Sequence, residues 1–150
     1  MGYSPMEGKN LLFIGGGIGL TPLRSLIWNC LDQRDRFNEI HIIYGARSTS
    51  DLVYSKELET WQEMKDVHTV YTVDPGGETS QWKGQVGFVP FVLKNTKPDP
   101  QDTIVVTCGS PIMIKFTLVS LVELGFPLES VYTTLENRMK CGVGKCGRCR

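Results

Sequence analysis

The stretch Leu11-Leu12-Phe13-Ile14-Gly15-Gly16-Gly17-Ile18-Gly19-Leu20-Thr21-Pro22-Leu23-Arg24-Ser25-Leu26-Ile27 decides the fold. Its first four residues are apolar and read as a buried strand. Leu23, Leu26, Ile27 and Leu31 then recur at helical spacing, which predicts a helix from Pro22 to Asp35 with Thr21 as N-cap and Pro22 as its first residue. Strand, glycine turn and helix N-terminus together make a phosphate-binding arrangement. Free N–H groups and the positive end of the helix dipole suit an anion, and missing Cβ atoms let the backbone approach it closely. Gly15, Gly16, Gly17, Ile18 and Gly19 are the candidate cradle. The spacing is G-x-G-x-x-P over Gly17, Gly19 and Pro22, so the usual G-x-G-x-x-G fingerprint is not met. A tight turn without a ligand is the alternative, but four glycines in five positions exceed what such a turn needs.

Outward from this stretch, strand and helix alternate. Glu39–Ala46 is a β-branched strand, Tyr54–Met64 a helix with Leu58 and Trp61 on one face, and Val67–Val73 a strand stopped by Pro75-Gly76-Gly77. Gly87–Asn95 reads as a short helix, Asp102–Thr107 as a strand, Pro111–Leu124 as a helix closed by Gly125, and Ser130–Leu135 as a final strand. Alternation implies parallel pairing through right-handed crossovers. The expectation is a Rossmann-like, doubly wound α/β fold with a parallel five-stranded sheet and helices on both faces, over residues 1–135. Helix Pro111–Leu124 is apolar on most faces and reads as core. The tryptophans Trp28, Trp61 and Trp82 also read as packing residues, and His41 and His68 as ordinary strand positions.

Ligands in open α/β sheets collect at the carboxyl ends of the strands. At the second strand's tip stand Arg47 and Ser48 rather than an acidic residue. An Arg there holds a nucleotide 2′-phosphate and favours NADP over NAD; an exposed loop Arg is the alternative, and Asp51 is within reach of a ribose. The fourth strand runs into Cys108, Gly109, Ser110 and Pro111. Cys108 is positioned to touch a nicotinamide ring, or is a small buried core residue.

Lys and Arg together number 16, as do Asp and Glu, so the net charge is zero and a nonspecific nucleic-acid binder is excluded. No apolar run approaches the ~18–20 residues of a membrane span. MGYSPMEGKN is too polar for a signal peptide, and the five cysteines are odd in number, so the expected compartment is the cytoplasm rather than a secreted disulfide framework. Three of them, Cys141, Cys146 and Cys149, fall in the last ten residues with the spacing C-x4-C-x2-C. That is the spacing of the first three ligands of a plant-type [2Fe–2S] site. Gly142, Gly144 and Gly147 let a loop wrap a cluster, and Lys140, Lys145 and Arg148 offset its negative charge. Residues 136–150 therefore read as the start of a cluster-binding segment that needs a fourth thiolate; a zinc loop is the alternative. Cys30 and Cys108 lie on core elements and are poor candidates for the fourth ligand.

These motifs together resemble the ferredoxin–NADP⁺ reductase superfamily. The resemblance rests on LLFIGGGIGLTPLRSLI, IHIIYGARSTSDLVYSKELETW and TCGSPIMIK, in that order. The LENRMKCGVGKCGRC tail is similar to that of electron-transfer subunits serving dihydroorotate dehydrogenase B, anaerobic sulfite reductase and cytosolic hydrogenases or sulfhydrogenases. The resemblance implies a pyrophosphate at Gly16 to Gly19 and Thr21, with Pro22 opening the helix behind it. It implies adenosine near Arg47 and Tyr54, and nicotinamide near Cys108, Gly109 and Pro111. It further implies an FAD-binding barrel upstream, a fourth Cys downstream, and a catalytic partner subunit in a hetero-oligomer. On this expectation the chain is a portion of a longer NAD(P)H-dependent oxidoreductase, unable to run the redox chain alone. A non-catalytic nucleotide-binding or zinc-binding module is the competing class.

Overall fold

A computed structural model describes residues 4–134. The elements are β1 (Asn10–Gly16), α1 (Leu20–Asp32), β2 (Ile40–Ala46), α2 (Ser55–Glu63), β3 (Val67–Val73), β4 (Gln85–Val86), α3 (Val89–Thr96), β5 (Thr103–Cys108), α4 (Pro111–Glu123) and β6 (Val131–Thr133). Every strand pair is parallel, and the order across the sheet is β4-β3-β2-β1-β5-β6. The chain winds outward from β1 in one direction through β2, β3 and β4, then returns through α3 to the other side of β1. The order therefore reverses at β1, between β2 and β5.

Side-chain alternation along the strands divides the core into two layers. Leu11 and Phe13 of β1 join Ile40, Ile42 and Tyr44 of β2 on the face covered by α1 and α2, where Leu20, Leu23, Ile27, Leu58 and Trp61 pack. Leu12 and Ile14 face the other way with Ile43 and Val105, under Val89, Val92 and Leu93 of α3 and Leu121 of α4. Strands covered on both faces are largely apolar, as β1 is after Asn10 and β2 is apart from His41.

Three expectations need correction. The sheet has six strands rather than five. The extra one, β4, is two residues long and has no periodicity to betray it. It is held at the edge by the Gly87 N–H donating to the Val73 carbonyl (2.8 Å) and by Trp82 Nε1 donating to the Gln85 carbonyl (2.7 Å). Thr21 is not the N-cap of α1. Gly17–Gly19 forms a 3₁₀ turn running straight into the helix, so Gly19 is the cap, in right-handed helical conformation, and Thr21 and Pro22 lie in the first turn. Proline is tolerated there because first-turn N–H groups have no intrahelical acceptor.

Helix α4 is not buried on most faces. Ile114, Thr117, Ser120 and Leu121 point inward, whereas Ile112, Phe116, Val119 and Val122 are exposed, because the helix lies outermost on its side of the sheet. His41 and His68 lie in β2 and β3, as expected. They are register partners across β2 and β3, and their rings stack with centroids 4.6 Å apart. The expected ligands Cys141, Cys146 and Cys149 lie outside the described residues.

Candidate functional site

Register brings the carboxyl ends of three strands together. Gly15 stands opposite Cys108, and Gly16 opposite Gly45, so the glycine turn opens where the strand order reverses. The glycines divide by what surrounds them. A Cβ on Gly16 would lie 2.1 Å from Met113 Sδ, and one on Gly19 would lie 2.5 Å from the Cys108 carbonyl oxygen. These two glycines let the turn pack onto the start of α4 and the end of β5. Gly17 differs: its φ is +55°, and a Cβ there would meet nothing within 4 Å. Its missing side chain leaves open space in front of a helix N-terminus that no side chain caps. An anion entering that space meets the positive end of the α1 dipole.

The turn is braced from the β2 side. Tyr44, fully buried, donates its hydroxyl proton to the Gly17 carbonyl (3.1 Å) and accepts from the Val53 N–H (3.2 Å). Burial pushes the Tyr44 phenol above its ordinary pKa, so it keeps the proton that it donates. Beyond it, Tyr54 caps α2 in left-handed conformation (φ 56°), and its hydroxyl donates to Thr21 Oγ1 at 3.3 Å. Arg24 covers the Tyr54 ring, its guanidinium carbon 5.1 Å from the centroid. The Arg24 Nε donates to both carboxylate oxygens of Glu57 at 2.7 Å, and Trp28 Nε1 donates to one of them at 2.6 Å. The hydrogen bond from Arg24 holds the Glu57 carboxyl below its usual pKa. Thr21 and Tyr54, 33 positions apart in sequence, are thus joined beside the turn.

Arg47 and Ser48 follow the tip of β2. Their backbone presses on Gly77, where a Cβ would lie 1.9 Å from the Arg47 carbonyl oxygen. Ser48 donates to the Asp51 carboxylate at 2.7 Å, so the acidic residue beside this tip is engaged by its own loop. Asp74 stands near Arg47; burial raises its pKa, and Arg47 opposes that shift. At the end of β5, Cys108 is fully buried with the α1-side core, and Gly109 packs against Met113. Ser110 caps α4, its Oγ accepting from the Met113 N–H at 3.4 Å, and Pro111 is the first helical residue.

The fold thus gathers Gly15 to Gly19, Thr21, Tyr54 and Gly109 at the carboxyl ends of β1 and β5, with Cys108 buried in the core. A cleft of about 580 Å³ also opens at the β3–β4 edge beside α2, bordered by Leu58, Tyr71 and Trp82, and it contains none of the candidate residues. Sequence reasoning did not single out Tyr44, Arg24, Glu57, Met113 and Gly77. Each acts through a partner distant in sequence, so no local motif marks it.

Comparison with known proteins agrees with this geometry. Residues 13–118 match the family model described as the oxidoreductase NAD-binding domain. The chain is 36% identical over 143 residues to the sulfhydrogenase 1 gamma subunit of Pyrococcus furiosus, covering 95% of this chain and 49% of that one. It is 33% identical over 141 residues to the electron transfer subunit of dihydroorotate dehydrogenase B (NAD(+)) of Listeria innocua, covering 94% of this chain and 48% of that one. The chain therefore spans about half the length of these relatives. Among solved structures it is similar to the cytochrome b5 reductase domain of Ulva prolifera nitrate reductase. That match has a TM-score of 0.73 at 29% identity, over 85% of this chain and 50% of the other. An open glycine turn where the strand order reverses, and a family match that spans it, lead to one conclusion: the chain belongs to the oxidoreductase NAD-binding domain family.

Proposed function

We propose that this chain is the NAD(P)H-binding part of an electron-transfer subunit that also carries FAD and a [2Fe–2S] cluster. It would exchange electrons with a partner subunit such as a hydrogenase, sulfite reductase or dihydroorotate dehydrogenase. The observation that carries the reading is Gly17, with its positive φ and open front, at an uncapped helix N-terminus where the strand order reverses. The residues fit a dinucleotide. Gly15 to Gly19 and Thr21 would hold the pyrophosphate, with Pro22 in the helix turn behind it. Arg47, Ser48 and Tyr54 would hold the adenosine end. Gly109, Ser110 and Pro111 would border the nicotinamide, with Cys108, expected at this ring, buried in the core instead. When bound, NAD(P)H supplies a hydride that a flavin accepts and passes on as single electrons. The chain's own work is to position and to set charge: α1 offers its dipole, Tyr44 holds the turn through Gly17, and the Arg24–Glu57 pair holds Tyr54.

Cys141, Cys146 and Cys149 supply three thiolates in plant-type spacing and are proposed cluster ligands. Calorimetric titration with NADH and NADPH tests the nucleotide assignment. The wild-type chain is expected to bind at least one of them. Gly17→Val, which puts a β-branched side chain into the open space, is expected to abolish binding while circular dichroism stays native. The left-handed backbone at this position costs the variant roughly 1–2 kcal/mol, tolerable for a domain of this size. Unchanged affinity in Gly17→Val would overturn the assignment.

A further inference from the structure

At the opposite end of the sheet, where the parallel strands begin, three donor side chains converge that the nucleotide site does not use. Glu39 precedes β2, His41 is the second residue of β2, and His68 is the second residue of β3. One ligand atom from each lies within 4.8 Å of the other two. We propose that Glu39, His41 and His68 form a binding site for a divalent transition-metal ion of zinc type.

Backbone structure holds the donors in place. His41 and His68 are register partners in a parallel ladder, so their side chains leave the same face of the sheet side by side. Glu39 is tied to β1 at both backbone polar groups. Its carbonyl accepts from the Leu11 N–H at 2.8 Å, and its N–H donates to Asn10 Oδ1 at 3.1 Å. His41 Nε2 and Glu39 Oε2 are 3.1 Å apart, and that hydrogen bond keeps the Glu39 carboxyl below its ordinary pKa. The carboxylate is therefore already ionised, as a ligand must be.

The donor chemistry selects the ion. Two imidazoles and one carboxylate form a borderline N₂O set that suits zinc, nickel or copper better than calcium or magnesium. Two ligands about 2.0–2.1 Å from a tetrahedral zinc lie roughly 3.4 Å apart, so the His41 and His68 rings, now stacked 4.6 Å apart, would turn out of their stack to converge on an ion. His68 is exposed and His41 half-buried, which leaves the remaining coordination positions to water. Asp99, in the loop after α3, adds negative charge near Glu39.

The tail cysteines are a competing zinc site, so the test uses the full chain with Cys141→Ser, Cys146→Ser and Cys149→Ser. Zinc titration of this background at pH 7.5, followed by calorimetry and by metal analysis after desalting, is expected to give one bound equivalent. His68→Ala, at an exposed position that the fold does not need, is expected to weaken binding at least tenfold, and His41→Ala likewise. Absence of bound zinc in the background protein, or affinity unchanged in both histidine variants, would overturn the site. Nucleotide binding is expected to be the same with and without zinc, because the two sites occupy opposite ends of the sheet.

Discussion

At the scale of single residues, the site is governed by charge and by the absence of side chains. Arg47 is the cation at the tip of β2 on which nucleotide choice is proposed to turn. A charge-assisted contact to a 2′-phosphate is worth roughly 1.5–3 kcal/mol, or about ten- to a hundredfold in affinity. Arg47→Ala is expected to weaken NADPH by that factor and to leave NADH nearly unchanged in parallel titrations; equal loss for both would show that Arg47 does not read the phosphate. Glu57 makes a second prediction. Its carboxyl is held below the usual range by Arg24, so its contribution is present above about pH 4.3, the unfolded value, and is lost as pH falls through the folded one. Urea midpoints measured between about pH 5 and pH 3 are expected to fall less steeply in Glu57→Gln than in the wild type. The same variant should loosen Tyr54, because Glu57 fixes the Arg24 that covers its ring.

At the scale of elements, α2 shows how far a short helix depends on its neighbours. It has nine residues, and an isolated helix of that length is marginal in water. Its order comes from burying Leu58 and Trp61 against β2 and β3, with Trp61 fully buried and 5.7 Å from the Trp28 ring of α1. Trp61→Ala is expected to cost about 3–5 kcal/mol in a denaturant titration, through lost transfer energy and the cavity left behind. Because α2 begins at Tyr54, the same variant is expected to weaken nucleotide binding although it touches no nucleotide. The two strand-to-helix turns at the crevice behave differently. β1 enters α1 through a 3₁₀ turn without a side-chain cap, the Leu20 N–H donating back to the Gly17 and Ile18 carbonyls, whereas β5 enters α4 through Ser110, which caps its own helix.

At the scale of the whole molecule, the described residues form a nucleotide domain with one end of its sheet open to a dinucleotide and the other bearing a histidine pair. Among the described residues no helix is long and apolar enough to cross a membrane. The chain spans about half the length of the sulfhydrogenase and dihydroorotate dehydrogenase relatives. The [2Fe–2S] proposal is tested there. Iron analysis and electron paramagnetic resonance on the full-length subunit, purified without oxygen, are expected to show two irons per chain and a reduced-cluster signal. Both are expected to disappear when Cys146 is replaced by Ser. One equivalent of zinc on the tail thiolates, with no iron and no signal, would instead support the zinc-binding module.

What the sequence determined by itself is the local and the periodic. The apolar run Leu11–Ile14, the glycines after it and the regular exchange of strand and helix were enough to expect a doubly wound parallel sheet with its site at the glycine turn. Those features follow from backbone sterics and from burial on two faces, which act over a few residues. Contacts between distant segments were decided only by the tertiary structure. Gly16 and Gly17 are equivalent in the sequence. Only packing makes one the seat of Met113 and leaves the other open in front of α1. Strand β4 exists because Trp82 and Gly87 hold it beside β3, not because two residues carry a pattern. His41 and His68 lie 27 positions apart and become neighbours through the parallel register of β2 and β3. Local preference is written in adjacent residues, whereas register and packing are properties of the assembled sheet, and the chemistry of both ends of this molecule depends on the second.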